Sequence, residues 1–246
     1  MSEDGGEAGK SATGPAREPA FLLPGVVTAL AGVLIGIHLI ATFALNQDMR
    51  FEMIGLLSFL PVRIVAGFED ASLWWPLLWT PFTHALLHDG WEHLLVNTAW
   101  LVIFATPVAR RYGTAPTLTI FFVSAALGAA VFATTNYAVP AFLLGASGGV
   151  SGLTGAAARF MFQPVLVARD PETGDPVILG RKLASFGEML RDPRARAFVL
   201  IWIGLNAAIP VVGAFTGGLA VQIAWQAHIG GFLAGLVMVG LFERRG

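Results

Sequence analysis

The chain has 246 residues, of which 55% are apolar and 13% are charged, and its mean hydropathy is +0.69. This composition predicts one compact membrane domain. A net charge of −1 gives no reason to expect a nucleic-acid partner, and the absence of cysteine excludes disulfides, thiol nucleophiles and thiolate metal sites.

Residues 1–20 mix charged side chains with Gly, Ala and Ser, which predicts a short disordered tail and not a signal peptide. The domain that follows, 21–246, contains six segments close to the ~20 apolar residues that a membrane-crossing helix needs. The predicted spans are 21–45, 90–109, 116–135, 143–161, 197–215 and 218–242. The predicted fold class is therefore all-α, a polytopic bundle of six transmembrane helices.

The positive charges predict how this bundle is oriented. All Lys and Arg residues except Arg50 and Arg63 fall in the N-terminal tail, at 110–111, within 159–196 or at 244–245. Cytoplasmic loops are rich in Lys and Arg, so these segments and both termini are expected to be cytoplasmic. Because the chain carries no targeting segment or cysteine, a bacterial inner membrane is the expected location.

The connections differ in length and character. The first outer loop, about 46–89, is long, and clustered tryptophans predict that it lies at the headgroup level: Trp74, Trp75 and Trp79. The outer connections near 136–142 and 213–217 are short and uncharged. In the cytoplasmic loop, about 162–196, residues 169–176 are typical of a solvated turn.

Residues 181–191 of the cytoplasmic loop have an amphipathic helical pattern. The apolar face contains Leu183, Phe186 and Leu190. The charged face contains Lys182, Glu188 and Arg191. This pattern predicts a short helix on the inner membrane surface, although a partner-binding helix has the same pattern.

Ser147 lies in Gly145-Ala146-Ser147-Gly148-Gly149, in the first turns of the predicted fourth span. A helix start offers unpaired backbone N–H groups and the positive end of the helix dipole, both of which suit an oxyanion formed at this serine. Flanking glycines would let a peptide backbone approach closely. Alternatively, the small residues of this span serve helix packing.

His228 is a potential proton acceptor inside the predicted last span. Gly231 and Gly235, one and two turns further on, form a small-residue face that would let this helix approach the Gly-rich fourth span. Close approach would place the imidazole within hydrogen-bond reach of Ser147, as a general base requires. No carboxylate lies in the core of that span, so the pair is expected to act as a dyad that hydrolyses its substrate below the membrane surface.

The second span adds His93 and Asn97, which share one helix face at i and i+4 in its outer half. Both side chains can donate hydrogen bonds, which suits stabilisation of an oxyanion. Taken alone, each could equally link helices through interhelical hydrogen bonds.

Three motifs together resemble rhomboid intramembrane serine proteases. The segment from Thr83 through His84, His88 and His93 to Asn97 resembles their second-span signature. Gly145-Ala146-Ser147-Gly148 resembles their nucleophile motif, and the segment from Ala227 through His228 and Gly231 to Gly235 resembles their last-span motif. The resemblance covers roughly residues 79–241, with the motifs in the expected order on the expected spans.

The resemblance implies a role for each matching residue. Ser147 would be the nucleophile and His228 the base, while His93, Asn97 and the backbone N–H groups of Ser147 and Gly148 would form the oxyanion hole. Supporting positions would be His84, His88, Ser151, Gly145, Gly231 and Gly235, with His84 and His88 holding the site architecture or its water. The long outer loop would be the family's membrane-embedded first loop, and the last outer loop, with Phe215, would be a mobile cap. The partners implied are transmembrane protein substrates in the lipid bilayer, with no cofactor and no metal.

Two positions depart from the family pattern. Many rhomboids carry an aromatic residue one turn after the nucleophile, against the histidine ring, where this chain has Ser151. Ser151 lies in a second Gly-x-Ser-Gly pattern and is a competing nucleophile, one turn deeper and further from the helix start. Trp79-Thr80 stands where some members have Trp-Arg, a change expected to affect loop anchoring.

Two other functions fit parts of the pattern. An inactive rhomboid-like protein could bind membrane clients without cutting them, although such proteins usually lack the serine or the histidine. A metal site or transporter could use His84, His88 and His93, which are spaced like one helical face, but no His-Glu-x-x-His motif accompanies them.

Overall fold

The computed structural model describes residues 23–215 and 224–243, and this part of the chain is mostly helical. The predicted tail, 1–20, and the start of the predicted last span lie outside the described residues. The long helices are α1 (Gly25–Leu39), continued by a π-helical turn at Ile40–Ala44, α5 (Trp91–Tyr112), α6 (Thr114–Asn136), α7 (Ser147–Ala158), α9 (Pro193–Phe215) and α10 (Trp225–Met238), continued by a 3-10 turn at Val239–Leu241. The short helices are α2 (Gln47–Leu57), α3 (Val62–Ala66), α4 (Thr80–Thr83) and α8 (Phe186–Arg191).

Three described helices are long and apolar enough to cross a membrane: Gly25–Ala44, Trp91–Tyr112 and Thr114–Asn136. Trp225–Leu241 is a shorter apolar helix. These four correspond to the predicted first, second, third and last spans, whereas the full count of six crossings remains a prediction. The turn between α5 and α6 is a single residue, Gly113, whose φ of 81° lies in the left-handed region that glycine adopts without strain.

Helix α7 lies at the centre of the bundle and is shorter than the predicted span 143–161. It packs against α5, α6 and α10, and every residue after Ser147 is buried. Residues 143–146 are not helical, because Leu143 instead forms a two-way backbone bridge with Phe59 of the first loop. The helix therefore begins at Ser147 itself.

Helix α5 has apolar residues on both its buried face and its exposed face. Leu94, Leu101 and Phe104 are buried in the core, whereas Leu95 and Ile103 are more than half exposed. An apolar residue exposed on an otherwise apolar helix face is typical of a helix whose outer side contacts lipid.

The first loop folds as a series of short helices. Asn46 caps α2 by accepting a hydrogen bond from Met49 N at 2.9 Å, and a 3-10 turn at Ala71–Leu78 carries Trp74 and Trp75. Trp79 Nε1 donates to Leu56 O at 2.8 Å and so ties the end of the loop to α2. Trp75, Phe68 and Phe51 are each about two-thirds exposed or more, which fits the predicted position at a membrane interface.

The loop predicted to be cytoplasmic, about 162–196, differs from its prediction in two ways. It contains an antiparallel hairpin, β1 (Val165–Arg169) and β2 (Pro176–Arg181), which the all-α prediction lacks, although the turn at 169–176 lies where it was predicted. The short helix predicted within 181–191 is present, but it is shorter than the amphipathic pattern. Because Ser185 caps the helix, α8 begins at Phe186 and excludes Leu183, and its buried residue is Met189 while Phe186 and Leu190 are exposed.

Candidate active site

Ser147 occupies the first position of α7 and is half-buried. The first hydrogen bond of the helical ladder runs from Val150 N to Ala146 O at 2.9 Å. The backbone N–H groups of Ser147, Gly148 and Gly149 precede it and point out of the helix start, where they can meet an anion.

The chain turns sharply at Gly145 before it enters α7. Its φ of 123° strains any L side chain, and a Cβ there would lie 2.7 Å from Cε1 of His93. Gly145 N donates to His84 O at 3.0 Å, and Ala146 N donates to His88 Nε2 at 3.4 Å. The segment His84–His88 therefore holds the loop that presents Ser147.

His93 and Asn97 lie on α5, on the side that faces this loop. His93 Nε2 and Ser147 Oγ lie 2.8 and 3.8 Å from the point where a Gly145 Cβ would be, so the two groups flank the same small space. Asn97 is buried and donates one Nδ2 hydrogen to His93 O at 2.9 Å, which leaves its second hydrogen for another acceptor.

His84 and His88 are buried, and neither lies on the helix that carries His93. His84 lies in a 3-10 turn at His84–Leu86, with Nδ1 2.9 Å from Thr80 O, and His88 lies in the loop before α5. The rings of His88 and His93 meet edge to face with centroids 5.1 Å apart. The three histidines are spaced like one helical face in the sequence, but the chain bends between them, so they do not form one. Among the described residues, no group of three His, Asp or Glu side chains could hold a metal ion.

Helices α7 and α10 touch backbone to backbone through glycines. A Cβ on Gly231 would lie 2.1 Å from Gly148 O, and a Cβ on Gly235 would lie 1.8 Å from Gly152 O. This is the small-residue contact that the sequence predicts. Because Ser147 immediately precedes Gly148 and His228 lies nearly one turn before Gly231, this register brings the serine and the histidine to the same level of the contact.

His228 has a partner that sequence analysis missed. Its Nδ1 lies 2.7 Å from Oδ1 of Asn206, which is buried on α9. One signal could have identified Asn206: it is a polar amide in a predicted membrane span, which is costly and usually functional. Its pairing with His228 depends on how α9 packs against α10.

Ser151 lies one turn below Ser147 and is 6% exposed. Its backbone is already inside the helical ladder, so it lacks the unpaired N–H groups that surround Ser147. The two candidate serines therefore differ in two ways: Ser147 is more accessible than Ser151, and it has unpaired backbone N–H donors beside it.

A half-buried serine and a half-buried histidine lie at the same level of an apolar helical bundle, with amide and imidazole donors beside them. They define a polar site among helices that are long and apolar enough to cross a membrane. The model of the Rhomboid domain family matches residues 76–245 of this chain, more than half of its length. The chain belongs to the rhomboid family, whose members are mostly intramembrane serine proteases, with some inactive members. Of the predicted cap, the last outer loop near 213–217 with Phe215, residues 213–215 form the end of α9 and the rest lies outside the described residues.

Proposed function

We propose that the protein is an intramembrane serine endopeptidase that cuts transmembrane substrates by a dyad of Ser147 and His228. The observation that carries the proposal is the glycine contact between α7 and α10, which aligns His228 with a serine at the start of a helix. General base and nucleophile must lie within hydrogen-bond reach, and backbone contact between their helices permits this.

In the proposed reaction, His228 accepts the proton of Ser147 Oγ as that oxygen attacks the scissile carbonyl carbon. The oxyanion receives hydrogen bonds from the backbone N–H groups of Ser147 and Gly148 and from the side chains of His93 and Asn97. The tetrahedral intermediate then collapses, the C–N bond breaks, and His228 gives its proton to the leaving amine. Water hydrolyses the acyl-serine by the same steps in reverse order.

The proposal includes a location. The polar residues cluster at the end of the bundle that the charge pattern predicts as outer, so cleavage is proposed near the outer membrane face, with both termini in the cytoplasm. A bacterial inner membrane fits this arrangement. The proposed substrates are transmembrane segments that unwind near that face, because residues that weaken a helix expose a scissile bond there.

The test is cleavage of a transmembrane substrate by the purified full-length chain in liposomes. Wild-type protein and Ser151→Ala should cut, whereas Ser147→Ala and His228→Ala should not. If wild-type protein binds such segments and never cuts them, the inactive client-binding function replaces this one. Cutting that survives Ser147→Ala would refute the assignment of the nucleophile.

A further inference from the structure

The hydrogen bond between His228 and Asn206 has a fixed direction. Asn206 Nδ2 lies 2.9 Å from Trp202 O, a backbone carbonyl that can only accept, so the NH₂ group of the amide faces Trp202. The amide oxygen, Oδ1, therefore faces His228 Nδ1 at 2.7 Å. Because an amide oxygen carries no hydrogen, the proton of this hydrogen bond belongs to Nδ1.

A second contact braces the same pair of helices one turn away. Trp202 lies four residues before Asn206 on α9, and Phe232 lies four residues after His228 on α10. Their rings stack with centroids 4.3 Å apart and planes 18° apart, and Phe232 is buried. Two contacts at successive turns fix the register of α9 against α10, which keeps Asn206 level with His228.

We infer that Asn206 is a positioning residue for the proposed reaction, which holds His228 as the Nδ1–H tautomer and leaves the Nε2 lone pair free for Ser147. The inference rests on the proposed function. Which ring nitrogen carries the proton is set by the hydrogen bond that the other nitrogen makes, and a histidine base in the wrong tautomer cannot accept the proton of its serine.

This role supplies an orienting contact for the imidazole that α7 does not provide. Ser151 has no ring to pack against His228, so stacking from α7 cannot set the orientation of the imidazole. The amide of Asn206 sets it from α9 and keeps one acceptor beside the ring when His228 becomes an imidazolium. A neutral amide stabilises that cation less than a carboxylate does.

The experiment compares three variants with wild-type protein in liposomes. Asn206→Leu keeps the side-chain volume and removes the acceptor, while Asn206→Asp keeps an acceptor. Asn136→Leu is the matched control, because Asn136 also donates to the carbonyl four residues before it, Phe132 O at 2.9 Å, on a helix without His228. The two readouts are kcat and KM for a transmembrane substrate and the ¹⁵N NMR shifts of His228, which report its tautomer independently of turnover.

The expected result is a loss of about 10-fold or more in kcat for Asn206→Leu, with KM near the wild-type value. The loss should stay below the roughly 10²–10⁴-fold that a general base contributes. The Nδ1–H signature of His228 should be present in wild-type protein and Asn136→Leu and lost in Asn206→Leu, and Asn206→Asp should recover activity.

Two outcomes would overturn the inference. One is an Nε2–H signature in the wild-type protein, and the other is a wild-type kcat in Asn206→Leu. A wild-type protein that shows the Nδ1–H signature and does not cut would refute the proposed function while leaving the position of Asn206 intact.

Discussion

Helix α7 begins with backbone N–H groups that its own ladder leaves unpaired and ends at an arginine that is held on several sides. At the far end, Arg159 Nε donates to Ala184 O at 2.6 Å, one Nη donates to Leu236 O at 3.0 Å, and the guanidinium lies over the ring of Phe186. Ala184 N returns a hydrogen bond to Arg159 O at 2.8 Å. At the Arg159 end the polar groups are paired within the protein. At the Ser147 end, the proposed ligand end, backbone donors are left for the proposed oxyanion.

The largest effect is expected at the ligand end. Asn97→Ala and His93→Ala should each lower kcat/KM by roughly 10²–10³-fold, because each removes one donor to the oxyanion. The measurement is substrate turnover in liposomes. Thr106→Val is the control, since it removes a hydrogen bond to the carbonyl four residues earlier on the same helix, away from Ser147. An Asn97→Ala variant with wild-type turnover would remove Asn97 from the oxyanion hole.

Between the two ends of α7 lies its glycine contact with α10, which Gly235→Ala tests. The added Cβ would lie 1.8 Å from Gly152 O, so α10 must move away from α7. Forced repacking of this kind costs about 1–3 kcal/mol, and His228 should move with the helix, so both melting temperature and turnover should fall. Gly204→Ala is the matched control, because a Cβ on that helical glycine meets no atom within 4 Å. Equal melting temperatures for the two variants would contradict the backbone contact.

At the Arg159 end, Arg159→Met should lower stability and leave turnover by the folded protein near its wild-type value. The variant keeps the length of the side chain but leaves the carbonyls of Ala184 and Leu236 without this donor, at a cost of about 1–3 kcal/mol. Thermal unfolding in detergent measures the loss. Arg169→Met, in the exposed hairpin, should stay within about 0.5 kcal/mol of wild type. A large fall in kcat without a fall in stability would mean that the two ends are not separate.

The smallest effect concerns α8, beside the Arg159 end. The hydrogen bond from Lys182 Nζ, followed by that from Ser185 N, lowers the pKa of Glu188 from its ordinary value to about 2. Because the folded pKa is depressed, the stabilisation is complete above the ordinary pKa of glutamate, about 4.3, and is lost as pH falls towards 2. Amide exchange of residues 186–191, corrected for intrinsic rates, should show this loosening in wild-type protein and not in Glu188→Gln. The same pH response in both would exclude Glu188 as its cause.

Sequence reasoning predicted the parts of the fold that depend on local pattern. The apolar runs and the Gly231–Gly235 face are readable from composition and spacing, and so are the helix start near Ser147 and the close contact of α7 with α10. The family match bears out the resemblance drawn from the three motifs.

The parts that sequence reasoning missed depend on tertiary contacts or on competition between two local signals, such as a helix cap and an apolar pattern. Asn206 pairs with a histidine 22 residues away on a different helix. The sequence around an isolated polar residue in an apolar span does not indicate which residue it will contact. The apolar residues of the β1–β2 hairpin have no alternation strong enough to predict strands. In α8, the capping box of Ser185 and Glu188 sets the helix start and overrides the apolar spacing that suggested an earlier one.

The central claim is that Ser147, activated by His228, is the nucleophile. Its most direct test is to treat the full-length protein in liposomes with a serine-reactive fluorophosphonate and to map the modified peptide by mass spectrometry. The proposed dyad predicts an adduct on Ser147 that persists in Ser151→Ala and disappears in Ser147→Ala and His228→Ala. An adduct on Ser151, or labelling of Ser147 that does not depend on His228, would contradict it.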